Sequence, residues 1–330
     1  MKVAFIGVGH WHAAEFYLPA LLKRGVEIVA ISDEEQEAVD RIAAEFDLDC
    51  PGYTDFRRLL DETEADIVWS SAPHDSMTEI AAELVLREQA FHMEKPMGLD
   101  WEMLQPVAAR AEQKGVFTSV ALVSRYYGVV RRLREMREAG ELGAPIHYYY
   151  RLFAGSPERY IDAHCPWMLD PVRAGGGPLF NFGPHIIDLF IHLVDDVAEV
   201  TARQSDAIRH AQIEDHTTLM LVGRETGAIG VGEISYTIPE GYERYFSVTS
   251  DRLHVGGDVG IGDILIRDAD NEHVEGMNGL EVYDHYVGDT LDAFASGRQP
   301  VATISDMVPV LRVMNAAAES AAVRGTVVLD

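Results

Sequence analysis

The stretch Lys2-Val-Ala-Phe-Ile-Gly7-Val-Gly9 governs how the rest of the chain is read. An apolar run, Val3 to Ile6, ends on a glycine, and a second glycine follows two positions later. That pattern reads as a buried strand turning sharply into a helix. Glycine at both positions lets the backbone approach a ligand closely, and amides at a helix N-terminus carry the partial positive charge that a pyrophosphate seeks. The third glycine of the full G-x-G-x-x-G pattern is replaced by His12. The turn alone therefore fits an ordinary strand-to-helix connection as well as a nucleotide site.

Working outward, short β-rich runs alternate with amphipathic stretches. Strands are expected at Val3–Ile6, Glu27–Ser32, Ile67–Ser70, Ala90–Met93 and Phe117–Ala121. Helices are expected at Trp11–Lys23, bending near Pro19, and at Glu35–Phe46, Phe56–Glu62, Met77–Glu88 and Trp101–Lys114. This is the pattern of a parallel sheet covered by helices, an α/β fold. Asp33 closes the second strand, 24 residues after Gly9. That offset suits the acid that accepts the hydroxyls of an adenosine ribose and repels a 2′-phosphate. Glu34 and Glu35 add negative charge, so NAD is favoured over NADP.

From about residue 122 the period changes. A helix over Val129–Ala139 is followed by alternating runs at Pro145–Phe153, Val197–Asp206, Thr217–Val222, Ala228–Ile238 and Tyr245–Ser250. These read as an open, mostly antiparallel sheet with one covered face. Tyr148-Tyr149-Tyr150 falls in the first of them and reads as alternating strand. Helices follow near His185–Leu193, Tyr286–Ser296 and Asp306–Arg324, and the chain closes on Thr326–Leu329. Two domains result, 1–121 binding the nucleotide and 122–330 binding substrate and mediating oligomer contacts.

The 330 residues, 47% of them hydrophobic, allow two sizeable cores. A formal charge of −27 opposes binding to a phosphate backbone, so no nucleic-acid partner is expected. Four lysines against 54 acidic residues suit either a salt-rich cytoplasm or a coding bias that replaces Lys by Arg. No run reaches the roughly 20 apolar residues of a membrane helix, and no signal peptide is evident. Cys50 and Cys165 form no metal or disulfide pattern. A cytoplasmic protein is expected, with neither membrane nor metal partner. His10, His12, His164 and Cys165 have no ligand spacing that would change that.

Two further stretches carry chemistry. Glu94-Lys95-Pro96 follows the fourth strand, so Lys95 stands at the carboxyl end of a sheet strand, and Pro96 restricts its backbone. Gly175-Gly176-Gly177 leads to Asn181 and His185, four apart and on one face of a helix. His185 is a candidate acid/base, because an imidazole in general titrates near neutrality, as proton removal from an alcohol requires.

In their order and spacing these residues resemble the glucose-fructose oxidoreductase / inositol dehydrogenase / MocA (Gfo/Idh/MocA) family over essentially the whole chain. The matching elements are Gly7-Val-Gly9, Asp33, Ala72-Pro73-His74, Glu94-Lys95-Pro96, Ser124-Arg125-Tyr126, Gly140-Glu-Leu-Gly143, Gly175-Gly176-Gly177 and Gly183-Pro-His185-Ile-Ile-Asp188. The resemblance implies an N-terminal Rossmann domain, a C-terminal α/β domain and a homodimer or homotetramer. It also implies hydride transfer between NAD and a sugar, polyol or sugar-derived carbonyl.

In that reading Gly7, Gly9, His10, Trp11, Asp33, Ala72, Pro73, His74 and Glu94 contact the cofactor, together with Lys95. Lys95 also binds the reacting oxygen, His185 moves its proton, and Asn181 orients them. Arg125, Tyr126 and Trp167 contact the small, carbohydrate-like substrate, held in a cleft between the domains. Asn181 stands where many catalytic relatives carry Asp. Lys95 and His185 then lack a carboxylate partner, which disfavours their charged forms. Two other outcomes stay open: a non-catalytic NAD-binding regulator, and a glycosidase that uses NAD transiently.

Overall fold

Strands buried on both faces are apolar throughout, and the first strand shows it: after Lys2, every residue to Ile6 is buried. The computed structural model describes residues 1–207, 212–259, 262–276 and 282–330. Among them six strands form one parallel sheet. These are β1 (Lys2–Ile6), β2 (Glu27–Ser32), β3 (Gly52–Tyr53), β4 (Ile67–Ser70), β5 (Phe91–Met93) and β6 (Thr118–Val120), ordered β3-β2-β1-β4-β5-β6. Strand order reverses between β1 and β4, and ligands of such sheets bind beyond the carboxyl ends of the strands at that reversal. The turns after β1, β2, β4 and β5 carry Gly7–Gly9, Asp33, Ala72–His74 and Glu94–Lys95.

The helix expected over Trp11–Lys23 is not uniform. A π-helical segment, Ala13–Tyr17, precedes a short α-helix, Leu18–Lys23, with Pro19 in its first turn. Proline is tolerated there because the first amides of a helix need no intrahelical acceptor. The helix expected from Met77 starts at His74, immediately after Pro73.

A second sheet is formed by β7 (Pro145–Ala154), β8 (Val197–Ser205), β9 (His216–Gly223), β10 (Ile229–Ser235), β11 (Tyr242–Ser250), β12 (His254–Asp258), β13 (Ile264–Arg267), β14 (Glu272–Glu275) and β15 (Thr326–Val328). Their order is β14-β13-β12-β11-β7-β10-β9-β8-β15, and β7 and β10 are its parallel pair. β12, β13 and β14 lie beyond the strands expected from sequence. They are short, and the edge strand β14 is mostly exposed, so no strong alternation announces them.

The helix Pro178–Leu193 packs on one face of this sheet. It begins well before the expected His185, with Pro178 in its first turn. Gly230 and Gly232 of β10 make that packing possible: a Cβ on either would stand 2.7 Å from Phe190 or Ile186 of the helix. Tyr148 and Tyr150 point to the same covered face, and Tyr148 donates to the Ile186 carbonyl at 2.7 Å. The tyrosine run is alternating strand, as its period indicates.

The chain divides into two compact units. One contains Met1–Ala121, Glu158–Gly175 and Tyr283–Pro309, and the other Leu122–Pro157, Gly176–Val282 and Val310–Asp330. The first break falls after Ala121, and 158–175 and 283–309 pack with the parallel sheet rather than with the rest of 122–330. Cys165 shows the reason for the first excursion, since its thiol sits between the Trp11 amide and the Gly9 carbonyl, 3.3 Å from each. Among the described residues no helix is long and apolar enough to cross a membrane.

Candidate active site

In the first unit the glycine turn is built for close approach. Gly7 has φ +77°, and a Cβ there would run into the backbone of Ala72. Its amide donates to the Ser32 carbonyl at 2.7 Å. The Gly9 amide donates to Asp33 Oδ2 at 2.8 Å, and a Cβ on Gly9 would stand 2.8 Å from that oxygen. Asp33 Oδ1 accepts from the Glu35 amide at 3.2 Å. Burial pushes the Asp33 carboxyl up, against the pull of those two amides.

Beside this turn is a cavity of about 370 Å³ lined by Gly9, His10, Asp33, Ser71, Pro73 and Trp167, among others. The structure thus brings together four of the residues expected to hold the cofactor. Trp167, expected as a substrate contact, stands in the same wall, its ring centroid 5.8 Å from His10 and 5.0 Å from His74. His74 is buried and donates through Nδ1 to the Ala174 carbonyl at 2.9 Å. Burial lowers its pKa to about 4, and His10 is likewise pushed well below the usual imidazole range. Both rings are neutral at pH 7, as suits the walls of a nucleotide site. The glycine turn, the carboxylate at the second strand and a cavity that sets Pro73 and Trp167 among charged side chains fit the adenosine end of a dinucleotide.

At the end of β5, Glu94 and Lys95 are both buried. Burial alone would raise the Glu94 carboxyl. His12, with Nδ1 2.5 Å from Oε1, and the Lys95 ammonium outweigh it and hold that carboxyl well below the usual range. The Tyr17 phenol, kept protonated by burial and by Glu94, donates to the same oxygen. The Lys95 amide donates to Oε2 at 2.9 Å. Burial lowers the Lys95 pKa, and Glu94 acts against it, so Lys95, contrary to the expectation drawn from Asn181, does have a carboxylate partner. A fixed carboxylate beside a partly desolvated ammonium is a preorganised electrostatic site.

His12 was legible only as a missing glycine; its pairing with Glu94 spans 82 positions and has no local signature. Tyr17 has none either.

In the second unit, Asn181 and His185 lie one turn apart on the helix Pro178–Leu193. The helix N-terminus is closed by Glu214, whose half-buried carboxylate accepts from the amides of Gly177 at 2.7 Å and Leu179 at 3.1 Å. Asn181 Nδ2 donates to the Tyr236 hydroxyl at 2.9 Å. His185 Nδ1 lies 3.0 Å from Ser124 Oγ. A ring held at Nδ1 presents Nε2 in a defined direction. Arg125 and Tyr126 are buried in the turn Val123–Tyr126. The Arg125 guanidinium grips Asp188 at 2.7 to 3.2 Å, so Asp188 serves that ion pair. Ser124, quoted from the sequence only as part of Ser124-Arg125-Tyr126 and with no role given to it, lies within hydrogen-bond distance of the histidine.

Residues 1–122 match the oxidoreductase family with an NAD-binding Rossmann fold, and residues 130–261 match the GFO/IDH/MocA C-terminal domain. An inositol 2-dehydrogenase/D-chiro-inositol 3-dehydrogenase of Lacticaseibacillus casei is 23% identical over 91% of this chain and 86% of its own length. A trans-1,2-dihydrobenzene-1,2-diol dehydrogenase of Mus musculus is 23% identical over 54% of this chain. Of that relative the chain spans about half, 49% of its length. A levoglucosan dehydrogenase solved with NADH and levoglucosan superimposes with a TM-score of 0.87, at 18% identity, over 99% of each chain. That likeness establishes the fold.

Proposed function

The chain belongs to the Gfo/Idh/MocA oxidoreductases, whose N-terminal domain is an NAD-binding Rossmann fold, and on that premise we propose that it oxidises or reduces a carbon–oxygen centre of a sugar or polyol. The observation that carries this reading is the buried Lys95 ammonium at the carboxyl end of β5, set beside a carboxylate that His12 and Tyr17 keep charged. In the oxidative direction, NAD held at Gly9, Asp33 and Pro73 would supply the hydride acceptor. Lys95 holds the reacting oxygen and stabilises the negative charge that grows on it. His185, its Nδ1 held within 3.0 Å of Ser124 Oγ, takes the hydroxyl proton, and the product is the carbonyl. Reduction runs the same transfers backwards, with His185 returning the proton.

Asn181 donates to the Tyr236 hydroxyl, and an amide at this position brings no charge to the site. That observation also favours the second reading, a regulator that binds NAD without turnover. Assembly into a homodimer or homotetramer belongs to the same proposal. The exposed Met220, Ile229, Tyr242 and Tyr245 on the sheet of the second unit support it. Cytoplasmic location is supported by two cysteines that stand as free thiols.

The test is a panel of sugars and polyols mixed with NAD and the purified chain, read as reduced-nicotinamide absorbance. Turnover abolished by Lys95→Ala supports the dehydrogenase. Tight NAD binding with no turnover on any member supports the regulator. Release of a chromogenic aglycone with no accumulating reduced nicotinamide identifies a glycosidase.

A further inference from the structure

The segment Glu158–Gly175 packs with the nucleotide-binding unit and brings a cation to its cavity. Arg173 meets both carboxylate oxygens of Glu34: one guanidinium nitrogen pairs with Oε1, and Nη2 donates to Oε2 at 2.9 Å. Its Nε is also 3.4 Å from Asp75 Oδ2. Fork-to-fork pairing of this kind fixes the guanidinium plane as well as its charge. Around the same cavity stand Asp33, Glu34, Glu35 and Glu37, against the cations Arg41 and Arg173. Asp33, the ribose-binding acid, is occupied by two backbone amides and stays where it is. Arg41 belongs to the helix Gln36–Glu45 and lies 3.9 Å from Glu45.

A ribose with a free 2′-hydroxyl needs only an acceptor here. A 2′-phosphate adds about two negative charges and needs a guanidinium or ammonium. Arg173 is the cation with the geometry for it, and Glu34 already holds it.

We propose that the Glu34–Arg173 pair is a determinant of nucleotide choice, in which Glu34 sequesters a phosphate-competent arginine and so keeps the chain selective for NAD. Neutralising Glu34 releases Arg173 for a 2′-phosphate; removing Arg173 cancels that gain. The proposal rests on the nucleotide-binding assignment and is independent of the substrate.

The experiment measures Kd for NAD and NADP by nucleotide titration of the full chain, for the unsubstituted protein, Glu34→Gln, Arg173→Ala and the double variant. The quantity compared is the ratio of the two Kd values. Both side chains are partly exposed, 46% for Glu34 and 28% for Arg173, so the variants are expected to fold. Glu34→Gln should shift the ratio towards NADP by about tenfold, and the double variant should return to within about twofold of the starting ratio. A ratio that does not move in Glu34→Gln overturns the proposal. So does a shift that persists when Arg173 is also removed. Binding of neither nucleotide by the unsubstituted chain would overturn the cofactor assignment and, with it, this inference.

Discussion

The ends of β5 and of the helix Pro178–Leu193 solve opposite problems. At β5 two charges are buried side by side, and the protein invests a histidine, a tyrosine and a backbone amide in keeping the carboxylate ionised. At the helix, Asn181 and His185 each meet a hydroxyl, and the nearby buried charges, Arg125 and Asp188, are paired with one another. The first region fixes charge; the second fixes direction. Stabilising a developing oxyanion calls for permanent charge in low dielectric, whereas moving a proton calls for a ring that can change state while keeping its orientation.

If that contrast is right, the largest loss comes from the charged region. Lys95→Ala should lower kcat by about 10³, with much smaller change in NAD affinity measured by titration. A variant retaining a tenth of the turnover would break the contrast.

His185→Ala should cost about 10² in kcat, and the loss should shrink at high pH, where hydroxide replaces the missing base. A loss that is flat across pH would remove His185 from the proton transfer.

Acid stability sharpens the comparison from the side of the first unit. His74 and His92 are buried and neutral, with pKa lowered by burial to about 4 and about 3. The unfolded chain binds a proton at each near pH 6.5 and the folded chain does not, so stability is full above that pH and falls as pH drops towards those values. By pH 5 each histidine should have cost about 2 kcal/mol. The buried Glu94, whose carboxyl is depressed, adds to the loss only at lower pH, below the ordinary glutamate range. Urea denaturation at pH 7 and pH 5 checks this. A pH-independent midpoint would contradict the neutral, buried assignment of both rings.

The smallest effect belongs to the orienting hydroxyl. Ser124→Ala should lower kcat about tenfold with KM little changed, and Ser124→Thr should restore most of it. Failure of threonine to rescue would make Ser124 a packing residue.

How much of this could be read from the chain follows from the range of each interaction. Strand β1, the glycine turn and Asp33 were legible because each depends on local period or on a short offset. Lys95 was legible because Pro96 and the preceding strand place it. The Glu94 partners were not, since His12 and Tyr17 reach it across 82 and 77 positions. Ser124 and His185 are separated by 61 positions, and Arg173 and Glu34 by 139. Such pairings exist only once the sheet order and the packing of 158–175 are known. The three strands between His254 and Glu275 escaped for a different reason: they are short, glycine- or charge-bearing, and lie towards one edge of the sheet.

The proposal that Lys95 and His185 serve the same reaction is the one most open to a direct test. A double-variant cycle on whichever polyol or sugar turns over tests it most directly, with kcat measured for the parent, Lys95→Ala, His185→Ala and both together. The account predicts strong non-additivity, with the double variant no more than about tenfold below Lys95→Ala alone. Losses that multiply to about 10⁵ would mean the two residues act independently, and would contradict it.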